Sequence, residues 1–250
     1  MSLVAPVVIG AIVGLLLGFL GGGGAIMIVP AMVYVLHADE HVALATALII
    51  VAVNAAIGGT LAWKDGRADS ATAAIFGASG MATAYGGAII SKQIPGHYLL
   101  VAFSILLLTI AFFMYRGTLR SPGEPPPLHR PRWQIIGVGA LVGLVTGILG
   151  VGGGFVIVPA MVLLVGMPMR RAVGTSLLVI TINSVASLLG HLDTPFNWQL
   201  IGLLLAGAIP AMAVANRYGG AINQIKLRRG FAIFVTVVAC FMLAETLLFA

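Results

Sequence analysis

Charged residues cut this chain into long apolar runs. Apolar stretches, uncharged but for Glu245 in the last, lie at roughly 3–20, 25–36, 42–63, 70–91 and 98–115, then 133–149, 155–165, 172–190, 196–216 and 230–249. A helix rising 1.5 Å per residue needs about 20 apolar residues to cross a hydrocarbon core of about 30 Å, so most of these runs read as membrane spans. Segments 25–36 and 155–165 are too short, because eleven or twelve residues reach only about 17–18 Å. Each follows a glycine run, Gly21-Gly22-Gly23-Gly24 or Gly150-Val151-Gly152-Gly153-Gly154, and each contains a proline, Pro30 or Pro159. The pattern predicts that 3–20 with 25–36, and 133–149 with 155–165, form broken hairpins. Between the two sets of five lies 116–132, RGTLRSPGEPPPLHRPR, whose prolines resist helix and whose charges resist lipid. It separates a first membrane repeat (1–115) from a second (133–250).

Composition excludes several classes. Only 20 of 250 residues are charged, 60% are hydrophobic and the mean hydropathy is +1.11, where soluble chains carry about a quarter charged residues. A water-soluble enzyme is excluded, and a single cysteine, Cys240, excludes a disulfide-stapled module. The net charge of +6 does not indicate nucleic-acid binding, since the basic residues sit at the ends of apolar segments rather than on one exposed face. No basic stretch precedes the first apolar run, so no removable signal peptide is expected. The expected fold is all-α and polytopic, with the lipid bilayer as its surroundings.

The basic residues also set the topology. If each broken pair crossed the membrane once, the loops on the two sides would hold six and seven Lys/Arg. If each pair returns to its starting side, one face collects Lys64, Arg67, Arg116, Arg120, Arg130, Arg132, Arg170, Arg171, Arg217, Lys226, Arg228 and Arg229, and the other only Lys92. The second count obeys the positive-inside rule. It places both termini outside a cell (inner) membrane and the linker in the cytoplasm. Each half then has an odd number of passes, so the halves are inverted.

The halves are also related in sequence. A shift of 129 residues overlays Gly14–Asn54 on Gly143–Asn183 with 17 identities in 41 positions. Ile28-Val29-Pro30-Ala31-Met32-Val33 recurs as Ile157-Val158-Pro159-Ala160-Met161-Val162, and Thr46 and Asn54 align with Thr175 and Asn183. An inverted repeat with glycine- and proline-interrupted segments at corresponding places points to a transporter's midplane site. A helix broken inside the membrane leaves unpaired N–H groups and a positive dipole end that must face protein, water or an anion. Glycines also serve close helix packing in lipid, and Gly14 with Gly18, four apart, fit that role best.

The strings GGGGAIMIVPAMV and GVGGGFVIVPAMVLLVGMPMRRAVGTSLLVITIN resemble the sulfite exporter TauE/SafE family of transporters, and the resemblance spans the duplicated halves. It implies membrane export or exchange of a small sulfur-containing anion, such as sulfite or an organosulfonate, and no cofactor. The first half departs from the pattern, with Ala45-Thr46-Ala47 where the second has Gly174-Thr175-Ser176. The second half is therefore expected to carry more of the ligand contacts.

The candidate substrate-binding residues are Gly21, Gly22, Gly23, Gly24, Pro30, Thr46 and Asn54 in the first half. In the second they are Gly150, Gly152, Gly153, Gly154, Pro159, Thr175, Ser176 and Asn183. Polar groups inside spans are functional candidates by default, and eight residues from each threonine to its asparagine is about 80° of helix, so each pair shares one face. Amide and hydroxyl donors suit an oxyanion without trapping it; the alternative is interhelical bonding worth about 0.6 kcal/mol each. Tyr85 is a further candidate donor. Six of seven acidic residues, Asp39, Glu40, Asp65, Asp69, Glu124 and Asp193, sit in or beside loops, and Glu245 lies near the outer end of the last span. None is placed for a midplane proton relay or sodium cage. His37, Asp39, Glu40 and His41 form an outer-loop cluster that leaves a cation or metal exporter as an alternative, alongside a membrane assembly factor. An intramembrane enzyme lacks support: Gly77-Ala78-Ser79-Gly80 is not a nucleophile elbow, and no nucleophile–base set is visible. Trp63, Trp133 and Trp198 flank spans as interface anchors.

This topology makes a direct prediction. A reporter fused to the C-terminus should signal from outside the cytoplasm, and a cytoplasmic signal would break the inverted-repeat argument.

Overall fold

The computed structural model describes residues 4–21, 28, 31–32, 36, 40–91, 96–116, 131–149, 154–189, 196–219 and 223–249. These form helices α1 (Val4–Leu20), α2 (Glu40–Lys64), α3 (Ser70–Ser91), α4 (Gly96–Arg116), α5 (Arg132–Leu149), α6 (Gly154–Leu163), α7 (Met169–Leu189), α8 (Trp198–Gly219) and α9 (Gln224–Phe249). The protein is all-helical, as the apolar runs predict. Segment 25–36 lies outside the described residues except at Ile28, Ala31, Met32 and Leu36, and so does the linker over 117–130. Among the described residues, Thr46–Lys64 and Trp198–Tyr218 are long and apolar enough to cross a membrane.

Several helices outrun their uncharged segments. The first turn of α7 takes in Arg170 and Arg171, and α9 takes in Lys226, Arg228 and Arg229. Glu40 and His41 open α2, although the charge pattern alone places them in a loop. Charge marks where hydrocarbon ends, whereas a helix continues into the headgroup region until its hydrogen-bond ladder stops.

The chain forms two compact units, one of residues 1–74 and 170–222 and one of 75–169 and 223–250, so each draws helices from both sequence halves. In the first unit α1 lies along α8. Gly10 and Gly14 press on the carbonyls of Leu204 and Ala208 so closely that a Cβ at either would overlap the oxygen, and Gly207 meets the Val7 carbonyl in the same way. The opposite face of α1 shows Val4, Val8, Ile12 and Leu15 exposed. The buried face thus sets Gly10, Gly14 and Gly18 among Val13 and Leu17, and the exposed apolar face is the arrangement expected against lipid. The second unit packs α3 on α5 and α4 on α9. There a Cβ on Gly139 would lie 2.8 Å from the Phe76 carbonyl oxygen, and Gly143 meets the Gly80 carbonyl. Thr83 Oγ1 donates to the Ala140 carbonyl at 2.7 Å. On α9, Ile233, Val237 and Phe241 form an exposed apolar stripe.

The two units repeat one packing scheme. Gly10 and Gly14 correspond to Gly139 and Gly143 at the 129-residue shift, and their partners Leu204 and Ala208 correspond to Phe76 and Gly80 at a shift of 128. The helix starts repeat as well: Asp69 Oδ1 accepts the Thr72 N–H at 3.0 Å to cap α3, and Asn197 Oδ1 accepts the Leu200 N–H at 3.0 Å to cap α8. The limb after each proline ends alike, with Leu36 N–H donating to Ala31 O at 3.2 Å and Val165 N–H to Ala160 O at 3.1 Å. Both span five residues rather than four, a wide turn that suits a helix ending inside the protein.

Gly14→Ala and Gly143→Ala should each lower thermal stability by about 1–3 kcal/mol, because backbone rather than a flexible side chain must move. Gly137→Ala and Gly202→Ala, where a Cβ meets nothing within 4 Å, should change it by no more than about 0.5 kcal/mol. Unfolding midpoints of the four purified variants check this.

Candidate substrate site

The equivalent helices α2 and α7 run antiparallel within the first unit. Gly59 lies against Leu178, whose backbone nitrogen would be 3.2 Å from a Cβ placed there. Gly174 lies against Ala62 and the Arg67 carbonyl, at 3.0 and 2.5 Å by the same measure. Numbers thus rise along one helix as they fall along the other, and the same register carried five residues further sets Asn54 level with Asn183. The amides do not face each other. Asn54 is one turn before Gly58, whose open face meets Met212 of α8 and Leu177 of α7. Asn183 is nine residues past Gly174, half a turn round from the α2 contact.

The threonines are not brought together. Thr175 is level with the Ala62 turn, and Thr46 lies sixteen residues earlier on α2, about 24 Å along the axis. Their environments differ too, although both are fully buried. Thr175 Oγ1 accepts the Asp69 backbone N–H at 3.0 Å and so ties the α2–α3 turn to α7. Thr46 Oγ1 has no hydrogen-bond partner among the described residues. Ser176, also fully buried, donates to the Val173 carbonyl at 2.8 Å.

Asn54 is completely buried, and its Nδ2 donates to the Ile50 carbonyl at 2.9 Å. Its Oδ1 has no partner among the described residues, and neither does the enclosed Oδ1 of half-buried Asn183. Equivalent positions in the two repeats thus leave the same atom unmatched, in surroundings where an unmatched polar atom costs about 1–3 kcal/mol.

Of the glycine breaks, Gly21 closes α1 in the left-handed region at φ 65°, which only glycine adopts without strain. Gly22, Gly23, Gly24, Pro30, Gly150, Gly152 and Gly153 lie outside the described residues. Gly154 opens α6 and is buried. Pro159, inside α6, lines a wholly apolar groove with Val142, Val156 and Ala160. Tyr85 is exposed on α3, and Cys240 is exposed on α9. His37 and Asp39 lie outside the described residues, among which no group of three His, Cys, Asp or Glu comes together.

One network escaped the sequence reading. The Arg67 guanidinium pairs with Asp65 at 2.5 Å and donates to Asn216 Oδ1 of α8 at 2.9 Å. With Asp69 on Thr175, it fastens the basic α2–α3 turn to two helices of the second repeat. The turn's charges read as solvated topology signals, and nothing local marks Asn216 as their partner.

Two variants separate the threonines. Thr175→Val strands the Asp69 N–H and should cost about 1–3 kcal/mol, whereas Thr46→Val removes an unmatched hydroxyl at equal volume and should leave stability unchanged or raised. Thermal unfolding of both checks this.

Comparison with known proteins agrees with this architecture. The profile of the family described as "Sulfite exporter TauE/SafE" matches residues 7–242. A "Probable membrane transporter protein" of Xylella fastidiosa (strain Temecula1) is 31% identical, over 97% of this chain and 95% of its own length. "Probable membrane transporter protein YunE" of Bacillus subtilis is 28% identical, over 90% and 89%. No solved structure matches.

Proposed function

The chain belongs to the sulfite exporter TauE/SafE family of membrane transporters, and from that premise we propose that it exports a small sulfur-containing anion, sulfite or an organosulfonate, by alternating access. The observation that carries this reading is the pair of unmatched amide oxygens on Asn54 and Asn183, buried at equivalent positions of duplicated helices. Buried polar atoms without partners inside a membrane protein call for a ligand or water. Antiparallel α2 and α7 support inverted repeats, as does the twelve-to-one charge count, which on this reading puts the termini outside the inner membrane. In such a pair, each conformation open to one side has an equivalent open to the other.

On this reading no buried carboxylate among the described residues takes part. Among the described residues the buried polar side chains are Thr46, Asn54, Thr72, Ser104, Thr175, Ser176, Ser184 and Asn216. A neutral polar site binds an anion without holding it by charge, and the membrane potential supplies the drive: one negative charge leaving gains about 2.3 kcal/mol per 100 mV. The glycine breaks Gly21–Gly24 and Gly150–Gly154 would present backbone N–H groups to the same ion.

Purified protein in liposomes should show saturable flux of sulfite or an organosulfonate, accelerated by a potential negative on the side of origin and competed by analogues. Asn183→Leu and, separately, Gly153→Leu should each reduce that flux by about tenfold or more while the protein stays folded. Unaltered flux in both variants would contradict the proposed site, and flux of no sulfur anion would contradict the function.

A further inference from the structure

Resting on that function, we propose that the carried ion brings its own hydrogen-bond donor: the transporter takes hydrogensulfite, or a hydroxylated organosulfonate, in preference to the sulfite dianion. The unmatched atoms set this preference. A carbonyl oxygen only accepts, so the contact with Ile50 O identifies the facing atom of Asn54 as Nδ2 and turns Oδ1 the other way. What the first repeat leaves bare is therefore an acceptor, Oδ1 of Asn54, and Oδ1 of Asn183 is unmatched at the equivalent position. A fully ionised oxyanion offers only acceptors, and setting it against an amide oxygen leaves both unmatched and mutually repelling. A protonated oxyanion offers one O–H to that oxygen.

A metal cation would also satisfy an amide oxygen. Burial of its charge at this depth calls for a compensating carboxylate, and the buried polar residues among those described include none. The proton on the substrate answers the same need without a protein acid. Hydrogensulfite takes up its proton from water before entry and releases it to water after exit, so each turnover moves one negative charge with one proton attached. Proton-linked transport then needs no titrating side chain in the membrane.

The test uses wild-type protein in liposomes and three probes. Sulfite flux at fixed total concentration should fall as pH rises through the ion's second ionisation, by roughly tenfold for each pH unit above it. 2-Hydroxyethanesulfonate carries an O–H at every pH, so its flux should not change over the same range, which separates substrate titration from titration of the protein. Propanesulfonate, of similar size without a donor, should move at least about tenfold more slowly, because a site built for a hydroxyl rejects the analogue lacking it. Equal flux of the two sulfonates, or sulfite flux that holds or rises with pH, would overturn the proposal while leaving sulfur-anion transport standing. A requirement for sodium would overturn it in favour of a cation at the amide oxygens. Flux of none of the three probes would instead overturn the transport function, and the proposal with it.

Discussion

Helices surrounded by hydrocarbon gain almost nothing by hiding apolar side chains from it, since a neighbouring leucine and a lipid tail are equivalent company. Association must come from close contact, and close contact requires that Cβ atoms be absent where backbones meet. The seam of Gly10, Gly14 and Gly207 between α1 and α8 supplies this in one unit, and Gly139, Gly143 and Gly80 between α5 and α3 supply it in the other. The side chains these helices would otherwise interlock are turned outward: Val4, Val8, Ile12 and Leu15 leave α1 for the lipid. Within each unit these seams set how closely the paired helices approach and in what register.

That scaffold explains how buried neutral polar groups are held in an apolar protein. Asn54 and Asn183 stand at one level because α2 and α7 are antiparallel and held in register by Gly59 on Leu178 and Gly174 on Ala62. Most polar groups on these helices are spent on structure: Thr175 secures the α2–α3 turn through Asp69, and Ser176 folds back on Val173. The oxygens left over are few, buried and repeated in both halves. A repeated defect of this kind is hard to attribute to packing, since packing could have been served by leucine at either position.

Much of this was legible in the chain. Among the described residues the apolar runs located nine helices, and the alignment of Pro30 with Pro159 marked the limb whose wide turn recurs at Leu36 and Val165. Thr46, Asn54, Thr175 and Asn183 stood out because polar residues in membrane spans are rare. The division of labour among them was hidden. The 80° between Thr46 and Asn54 gives a common face but says nothing of the 12 Å or so of rise between them, nor of the fact that antiparallel pairing carries the two threonines apart. The donation from Asn54 to Ile50, which uses the expected donor and leaves an unmatched buried acceptor, depends on a rotamer. Arg67 with Asn216 is a contact across nearly the whole chain. Charge placed helix boundaries short at α7 and α9 because it reports the lipid surface rather than the backbone.

The central claim is that the unmatched oxygen of Asn54 exists to meet the transported anion. The most direct measurement is the unfolding midpoint of the purified protein with and without sulfite, in wild type and in Asn54→Leu. A ligand that binds only the folded state stabilises it by about 2.7 kcal/mol at a hundred times its dissociation constant. On this account sulfite raises the wild-type midpoint and leaves that of Asn54→Leu where it was. An equal rise in both proteins would place the anion elsewhere and reduce Asn54 to a packing residue.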